Sequence, residues 1–95
     1  MKLEQFYDYA TSLQSQGLTK IEMTSEMDEA GHYYVIKTKE TYTFAEEDEA
    51  DAKINDARQD SGFAAAEKKF KAGKINKSGE ITRPDTWTVV IKLNH

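Results

Sequence analysis

The chain has 95 residues and a net charge of −4, with 38% hydrophobic residues, 32% charged residues and no cysteine. This length allows one domain with a modest core, and the absence of cysteine excludes disulfides, thiolate metal ligands and a cysteine nucleophile. The negative charge gives no general attraction to nucleic acid or to anionic lipid. No apolar run reaches the roughly 18–20 residues that a membrane span needs, and the N-terminal residues lack the apolar run of a secretory signal. We therefore expect one cytoplasmic domain that does not bind membranes.

The first segment, residues 2–16, has the pattern of an amphipathic helix. Apolar residues recur at three- and four-residue steps from Leu3 to Leu13, which predicts a stripe that covers a sheet. A free helix that binds a partner is the alternative. Gly17 then stands where a residue in the left-handed conformation would end the helix. Residues 20–27 alternate apolar and polar side chains, which predicts a half-buried strand.

A short turn leads into a second alternating strand, Tyr33–Phe44. Its even-numbered positions are the more apolar, so we expect that face to pack on the core. Glu40 breaks the pattern of this face. A β-bulge near residues 38–41 would rotate its side chain outward. The alternative is a functional carboxylate that lines a pocket together with Tyr42.

The second strand runs into an acidic, alanine-rich helix. Thr43 and Glu46 have the spacing of a capping box, and the acids at 46–49 suit the positive end of the helix dipole. An EF-hand needs Asp or Asn at alternate positions and a central glycine. This run has neither feature, so we expect a helix start here and no metal site.

The next segment predicts a second helical piece after a break at residues 60–62. Phe63, Ala66 and Phe70 recur at three- and four-residue steps, which is typical of a helix face. Asp60 or Ser61 can cap this piece. The connection to the last strand is therefore predicted to be one broken helix.

The predicted fold is α+β, with a three-stranded antiparallel sheet in the order 2-1-3. Residues 74–81 predict a small hairpin, and Thr86–Asn94 alternates as the final strand. The N-terminal helix and the broken crossover helix are expected on one face of the sheet. On the other, polar face, Tyr33, Val35 and Val90 are expected to form an apolar patch suited to dimerisation.

The sequence contains no arrangement of residues that indicates catalysis. Its two histidines, His32 and His95, lie in a predicted turn and at the end of the chain, where a side chain is rarely held firmly enough to act as a base. No nucleophile elbow, phosphate loop or dinucleotide motif is present. We expect no enzyme, no cofactor and no metal.

Lysines are concentrated between the predicted crossover and the last strand. Such a basic run suits the phosphates of a nucleic acid or another anion, although lysines also gather at helix ends where they are only solvated. Its cations are Lys68, Lys69, Lys71, Lys74, Lys77 and Arg83.

Three features occur together between residues 33 and 93: a strand that runs into an acidic helix, the sequence KAGKI at Lys71–Ile75, and WTVVI at Trp87–Ile91. This combination resembles small phage and mobile-element proteins of the DpnD/PcfM-like kind, except for the predicted helix at 62–71. The resemblance implies an accessory protein of viral or mobile-element origin, without catalytic residues.

The expected function is a small non-enzymatic interaction module. Its expected partner is another protein or a second copy of the chain, as in a homodimer formed through the sheet. The alternative is an accessory protein that binds nucleic acid or another anion through the basic run.

Overall fold

The structure is a computed structural model that describes residues 1 to 95. It contains two helices and six strands, which confirms the α+β class. The elements in chain order are α1 (Leu3–Gln14), β1 (Leu18–Met27), β2 (Tyr33–Phe44), α2 (Glu47–Ala57), β3 (Phe63–Lys71), β4 (Lys74–Ile75), β5 (Ile81–Arg83) and β6 (Thr86–Asn94).

Four strands form one antiparallel sheet in the order β1-β2-β6-β3, while β4 and β5 pair separately. The hairpin of β1 and β2 is present as predicted. The predicted three-stranded order 2-1-3 is wrong, because β6 pairs with β2 instead of β1. A further strand, β3, pairs with the other edge of β6. The sheet is therefore one strand wider than expected, and β6 is one of its two central strands.

The segment Phe63–Lys71 is an edge strand, although its spacing predicted a helix. Phe63, Ala66 and Phe70 fit a helical stripe, but they equally fit one face of a strand that bulges at Ala64. Without β3, the backbone of β6 would have an unpaired edge, and pairing satisfies its hydrogen-bonding groups. Tertiary pairing thus overrides the helical preference of the alanine, glutamate and lysine residues in this segment.

Both helices pack on the same face of the sheet, as predicted. The helix α1 contacts β1 and β2, while α2 contacts β6 and its two neighbours. The core between these layers consists of Leu13, Tyr42, Ala50, Ile54, Val89, Ile91 and Leu93. Burial of these side chains provides the hydrophobic stabilisation of the fold. The opposite face of the sheet is not covered by either helix.

The ends of the two helices differ in how well the sequence predicted them. Gly17 has a φ of +97°, the left-handed conformation that we expected. However, α1 ends earlier, at Gln14 with Ser15 as its C-cap, so Gly17 ends the turn that follows the helix. Its carbonyl accepts a hydrogen bond of 3.1 Å from the backbone of Thr43, which attaches the turn to β2. The predicted capping box at α2 is wrong, because Thr43 belongs to β2 and the N-cap residue Glu46 makes no side-chain capping bond.

A bulge at Ile36 interrupts the pairing of β2 with β1. A bulge shifts the in–out alternation of a strand by one residue. Val35 therefore lies on the helix side of the sheet and is buried. The predicted apolar patch does not form, because Tyr33 and Val35 share the helix side whereas Val90 lies on the opposite face.

The molecule is elongated, with extents of 62 × 24 × 18 Å and a radius of gyration of 16.4 Å. A compact domain of this length has a radius of gyration of about 12 Å. The elongation reflects residues 72–85, which leave the sheet after β3 and return before β6 as the hairpin of β4 and β5. We call residues 72–85 the arm.

Candidate functional site

Glu40 lies inside the fold as a carboxylate held by hydroxyl groups, and it is 2% exposed. The Tyr42 hydroxyl donates a hydrogen bond of 2.6 Å to Oε1, and Thr38 Oγ1 donates one of 3.3 Å to Oε2. The Tyr9 hydroxyl of α1 donates a further hydrogen bond to Oε2. We call these four residues, together with His95, the Glu40 network.

The last residue, His95, extends this network to the end of the chain. Its Nε2 lies 2.8 Å from Thr38 Oγ1, its backbone N–H donates to the Ile36 carbonyl at 2.8 Å, and its ring packs edge-on against Tyr9. Which of these two side-chain atoms, Nε2 or Oγ1, carries the shared hydrogen depends on the tautomer of the imidazole. The histidine is thus held by side chain and backbone, contrary to the expectation from its terminal position.

The two tyrosines of the network are held in their protonated form. Burial, and then the hydrogen bond to Glu40, raises the pKa of both Tyr9 and Tyr42 above the usual range. Glu40 takes part in none of the ion pairs of the structure. Hydroxyl donors alone therefore compensate for the burial of its carboxylate.

The structure does not support the outward rotation that we expected for Glu40. The bulge of β2 lies at Ile36, not at residues 38–41, so Glu40 stays on the helix side. Neither Glu40 nor Tyr42 lines the surface depressions of about 380 and 300 Å³. Since three hydroxyls already occupy the carboxylate, the network serves to fix α1, β2 and the chain end relative to one another.

Strand alternation separates the lysines of the predicted basic run. Lys68 faces α2, where its Nζ lies 2.6 Å from Asp51 and 3.3 Å from Glu47. Lys69 lies on the opposite face of the sheet, 2.8 Å from Glu67. Hydrogen bonds to these carboxylates are the main cause that raises the pKa of both lysines. These two residues are therefore engaged within the fold.

The other cations of the run lie at the end of β3 or beyond it. Lys71 is the last residue of β3, while Lys74, Lys77 and Arg83 belong to the arm. Nη2 of Arg83 donates to the Ala72 carbonyl at 3.1 Å, while its Nε is buried without a partner. The basic run does not form a single patch, because the alternation of β3 and the departure of the arm place its cations on different surfaces.

The arm exposes two isoleucines that face each other across its hairpin. Ile75 of β4 pairs with Ile81 of β5, and the residues are 69% and 72% exposed. Neither strand of the arm contacts any other element of the fold. The sequence predicted this hairpin, but not that it stands away from the core.

The opposite end of the sheet also carries an exposed apolar pair. Met27 and Tyr33 are cross-strand neighbours beside the turn between β1 and β2, and they are 59% and 51% exposed. The depression of about 300 Å³ lies beside Tyr33 and reaches Leu3 of α1. We call the surface of residues 2–4 and 26–34 the turn end. Its exposed acidic residues are Glu4, Glu26 and Glu29.

No group of three or more histidine, aspartate or glutamate side chains converges in a way that could hold a metal ion. Neither helix combines the length and the apolar character needed to cross a membrane.

Comparisons with protein-family models, with curated proteins and with solved structures found no match to this chain. The resemblance to DpnD/PcfM-like proteins therefore stays a prediction.

Proposed function

We propose that this protein is a non-enzymatic assembly module in which the arm of one copy binds the turn end of the next copy. The observation that carries the proposal is the pair Ile75 and Ile81, exposed on a hairpin that contacts no other element. A two-stranded hairpin is marginally stable on its own. Packing its apolar pair on a second surface would supply the burial that it lacks within one copy.

The turn end offers what this pair needs. Met27 and Tyr33 provide exposed apolar surface, and the depression beside Tyr33 has room for a branched aliphatic side chain. An exposed apolar area rimmed by polar residues is typical of an interaction site. We therefore favour contact between the arm of one copy and the turn end of another over a dimer formed through the sheet face. The apolar patch that a sheet-face dimer would use is absent, because Val35 is buried.

Charge complementarity supports the same pairing. The exposed lysines Lys74 and Lys77 of the arm form no ion pair within the molecule, while Glu26 and Glu29 are exposed at the turn end. Opposite charges around an apolar contact raise the rate of encounter and fix its orientation. The arm also carries Glu80, and the turn end also carries the exposed Lys2, which lines its depression. The electrostatic attraction is therefore moderate, and the contact depends mainly on the apolar pair Ile75 and Ile81.

The positions of the two surfaces determine the kind of assembly. The arm leaves the sheet beside Trp87, which pairs with Phe44 at one end of β2, whereas Tyr33 stands at the other end. The strand between them spans roughly 36 Å at about 3.3 Å per residue. Contacts between two different surfaces are heterologous, so they produce rings or open chains of copies.

The experiment is sedimentation velocity at increasing protein concentration. The arm variant carries Ile75→Ser and Ile81→Ser, the turn-end variant carries Met27→Ser and Tyr33→Ser, and Met23→Ser on the sheet is the control. We expect the wild type and the control to form species larger than dimers, while each double variant stays monomeric alone. A mixture of the two double variants should give a dimer that does not grow, because one functional arm still meets one functional turn end.

A wild-type chain that stays monomeric at millimolar concentration would refute the assembly. Association that survives in the turn-end variant but not in the arm variant would indicate contact between two arms, and the proposed pairing would then be wrong. Association that is insensitive to salt would contradict the part assigned to the lysines, since screening weakens attraction between exposed charges.

A further inference from the structure

Three lysines lie side by side on the face of the sheet that no helix covers. Lys39 of β2 stands directly opposite Lys92 of β6, and the neighbouring pair on the same strands is Lys37 and Asn94. Side chains directly opposite each other start about 5 Å apart, and diagonal neighbours about 7–8 Å apart. We call Lys37, Lys39 and Lys92 the lysine trio.

No member of the trio forms a direct ion pair, and the charges of Lys39 and Lys92 act on Glu22 and Glu67 only from beyond ion-pair distance. By contrast, Lys20 lies 3.0 Å from Glu22, and Lys69 lies 2.8 Å from Glu67. Glu22 is the residue opposite Lys39 on β1, but its hydrogen bond is to Lys20. Like charges directly opposite each other destabilise a sheet. A local conflict of this kind, in a chain whose net charge is −4, is characteristic of a functional site.

The trio lines a depression of about 380 Å³ on this face. Thr24 and Asn94 add uncharged polar groups to its wall, and one acidic residue, Glu22, lines it as well. A volume of this size falls within the range of about 300–1,000 Å³ that small-ligand sites have. Positive side chains around a concave surface concentrate their field on an anion inside it.

We propose that the depression binds a compact oligophosphate, a chain of linked phosphate groups with several negative charges. Ammonium groups bind phosphate oxygens through charge-assisted hydrogen bonds, and one anion with several charges can neutralise all three lysines. No aromatic residue lines the depression, so it lacks the stacking platform on which single-stranded nucleic acids depend. Glu22 and Glu67 also interrupt the basic surface on either side of the trio, which favours a small anion over an extended strand.

The experiment is calorimetric titration of the full chain with inorganic tripolyphosphate in a buffer of low salt. We expect saturable binding of one anion per chain, with an affinity that falls as salt is added. The variant Lys39→Gln with Lys92→Gln should weaken binding about tenfold or more. The control variant, Arg58→Gln with Lys71→Gln, removes the same charge from exposed residues that form no ion pair and lie outside the depression, and it should change the affinity less than about twofold.

Backbone amide NMR signals locate the bound anion independently. We expect the largest shifts on titration at residues 37–39 and 92–94, and small shifts at the arm and the turn end. No detectable binding at low salt, or an equal loss in both double variants, would overturn the proposal. Tighter binding of an oligothymidylate of about twenty nucleotides through the same lysines would also overturn it, because the natural occupant would then be a nucleic acid.

Discussion

The Tyr42 hydroxyl donates a hydrogen bond of 2.6 Å to Oε1 of Glu40, two residues earlier on the same strand. Both side chains point to the helix side of the sheet, because residues two apart on a strand share a face. Tyr9 completes the arrangement from α1. The side chain of Glu40 thus accepts hydrogen bonds from donors in two layers of the fold, which satisfy its buried oxygens without a cation.

Replacing Tyr42 with phenylalanine should destabilise the fold by about 1.5–3 kcal/mol, the contribution of a hydrogen bond to a charged group. The ring would keep its position against Lys53 and Phe44, so the loss isolates the hydroxyl. Denaturant unfolding measures the change. Tyr33→Phe is the control, since that side chain makes no hydrogen bond within the fold and is 51% exposed. Equal stability of the two variants would contradict the role of the network.

Stability should fall steeply in alkaline solution because of the same two tyrosines. In the unfolded chain a tyrosine loses its proton at about pH 10, whereas burial and the bond to Glu40 raise the pKa of Tyr9 and Tyr42 in the fold. Above that pH the unfolded state binds fewer protons than the native state, so the free energy of unfolding decreases as pH rises. Below about pH 10 the stabilisation that the two protonated tyrosines contribute to the fold is fully present.

Unfolding titrations at several alkaline pH values measure this dependence. Each tyrosine can lower the free energy of unfolding by at most about 1.4 kcal/mol per pH unit. The variant Tyr9→Phe with Tyr42→Phe should show a correspondingly shallower decrease. Spectroscopic titration is the second readout: if the phenols of both residues ionise while the protein is still folded, the prediction is wrong.

The opposition of Lys39 and Lys92 should cost stability in the absence of a ligand. Replacing Lys92 with threonine keeps a strand-forming residue and removes the repulsion, so we expect a gain of about 0.2–1 kcal/mol at low salt. The gain should shrink as salt is added, because ions screen exposed charges. Lys20→Thr is the control: it breaks the ion pair with Glu22 and should give no gain. A loss of stability in Lys92→Thr would contradict the repulsion.

The parts of the fold that the sequence predicted are those whose periodicity has one interpretation. The alternation of Tyr33–Phe44 and of Thr86–Asn94, and the helical stripe that ends before Gly17, all specify one element type. The segment Phe63–Lys71 does not, because one bulge at Ala64 makes a strand match the same apolar positions as a helix. Only the free edge of β6, a tertiary feature, decides between the two.

The candidate sites were predictable to a smaller extent. Glu40 stands out in the sequence as a polar residue on an apolar face. Its partner Tyr9 comes from near the start of the chain, and His95, which contacts Thr38 of the same network, comes from the end. The sequence also predicts that Lys39 and Lys92 share the outer face of the sheet. Their direct opposition depends on β6 lying beside β2, which strand patterns alone did not determine.

Removing the arm should leave the body of the fold intact. Lys71 and Thr86 are paired across β3 and β6, so a two-residue Asn-Gly turn in place of residues 72–85 can join the strands as a tight hairpin. Because the arm contacts no other element and an isolated hairpin adds little stability, we expect the free energy of unfolding to change by less than about 1 kcal/mol. The pair Phe70 and Trp87, whose ring centroids lie 4.9 Å apart, remains in place at the new turn.

Two measurements on this shortened chain separate the role of the arm in folding from its role in assembly. Small-angle scattering should give a radius of gyration near the value of about 12 Å for a compact domain, against 16.4 Å for the full chain. Sedimentation should show a monomer at every concentration. A loss of more than about 2 kcal/mol would show that the arm supports the sheet, and the exposure of Ile75 and Ile81 would then no longer argue for a partner.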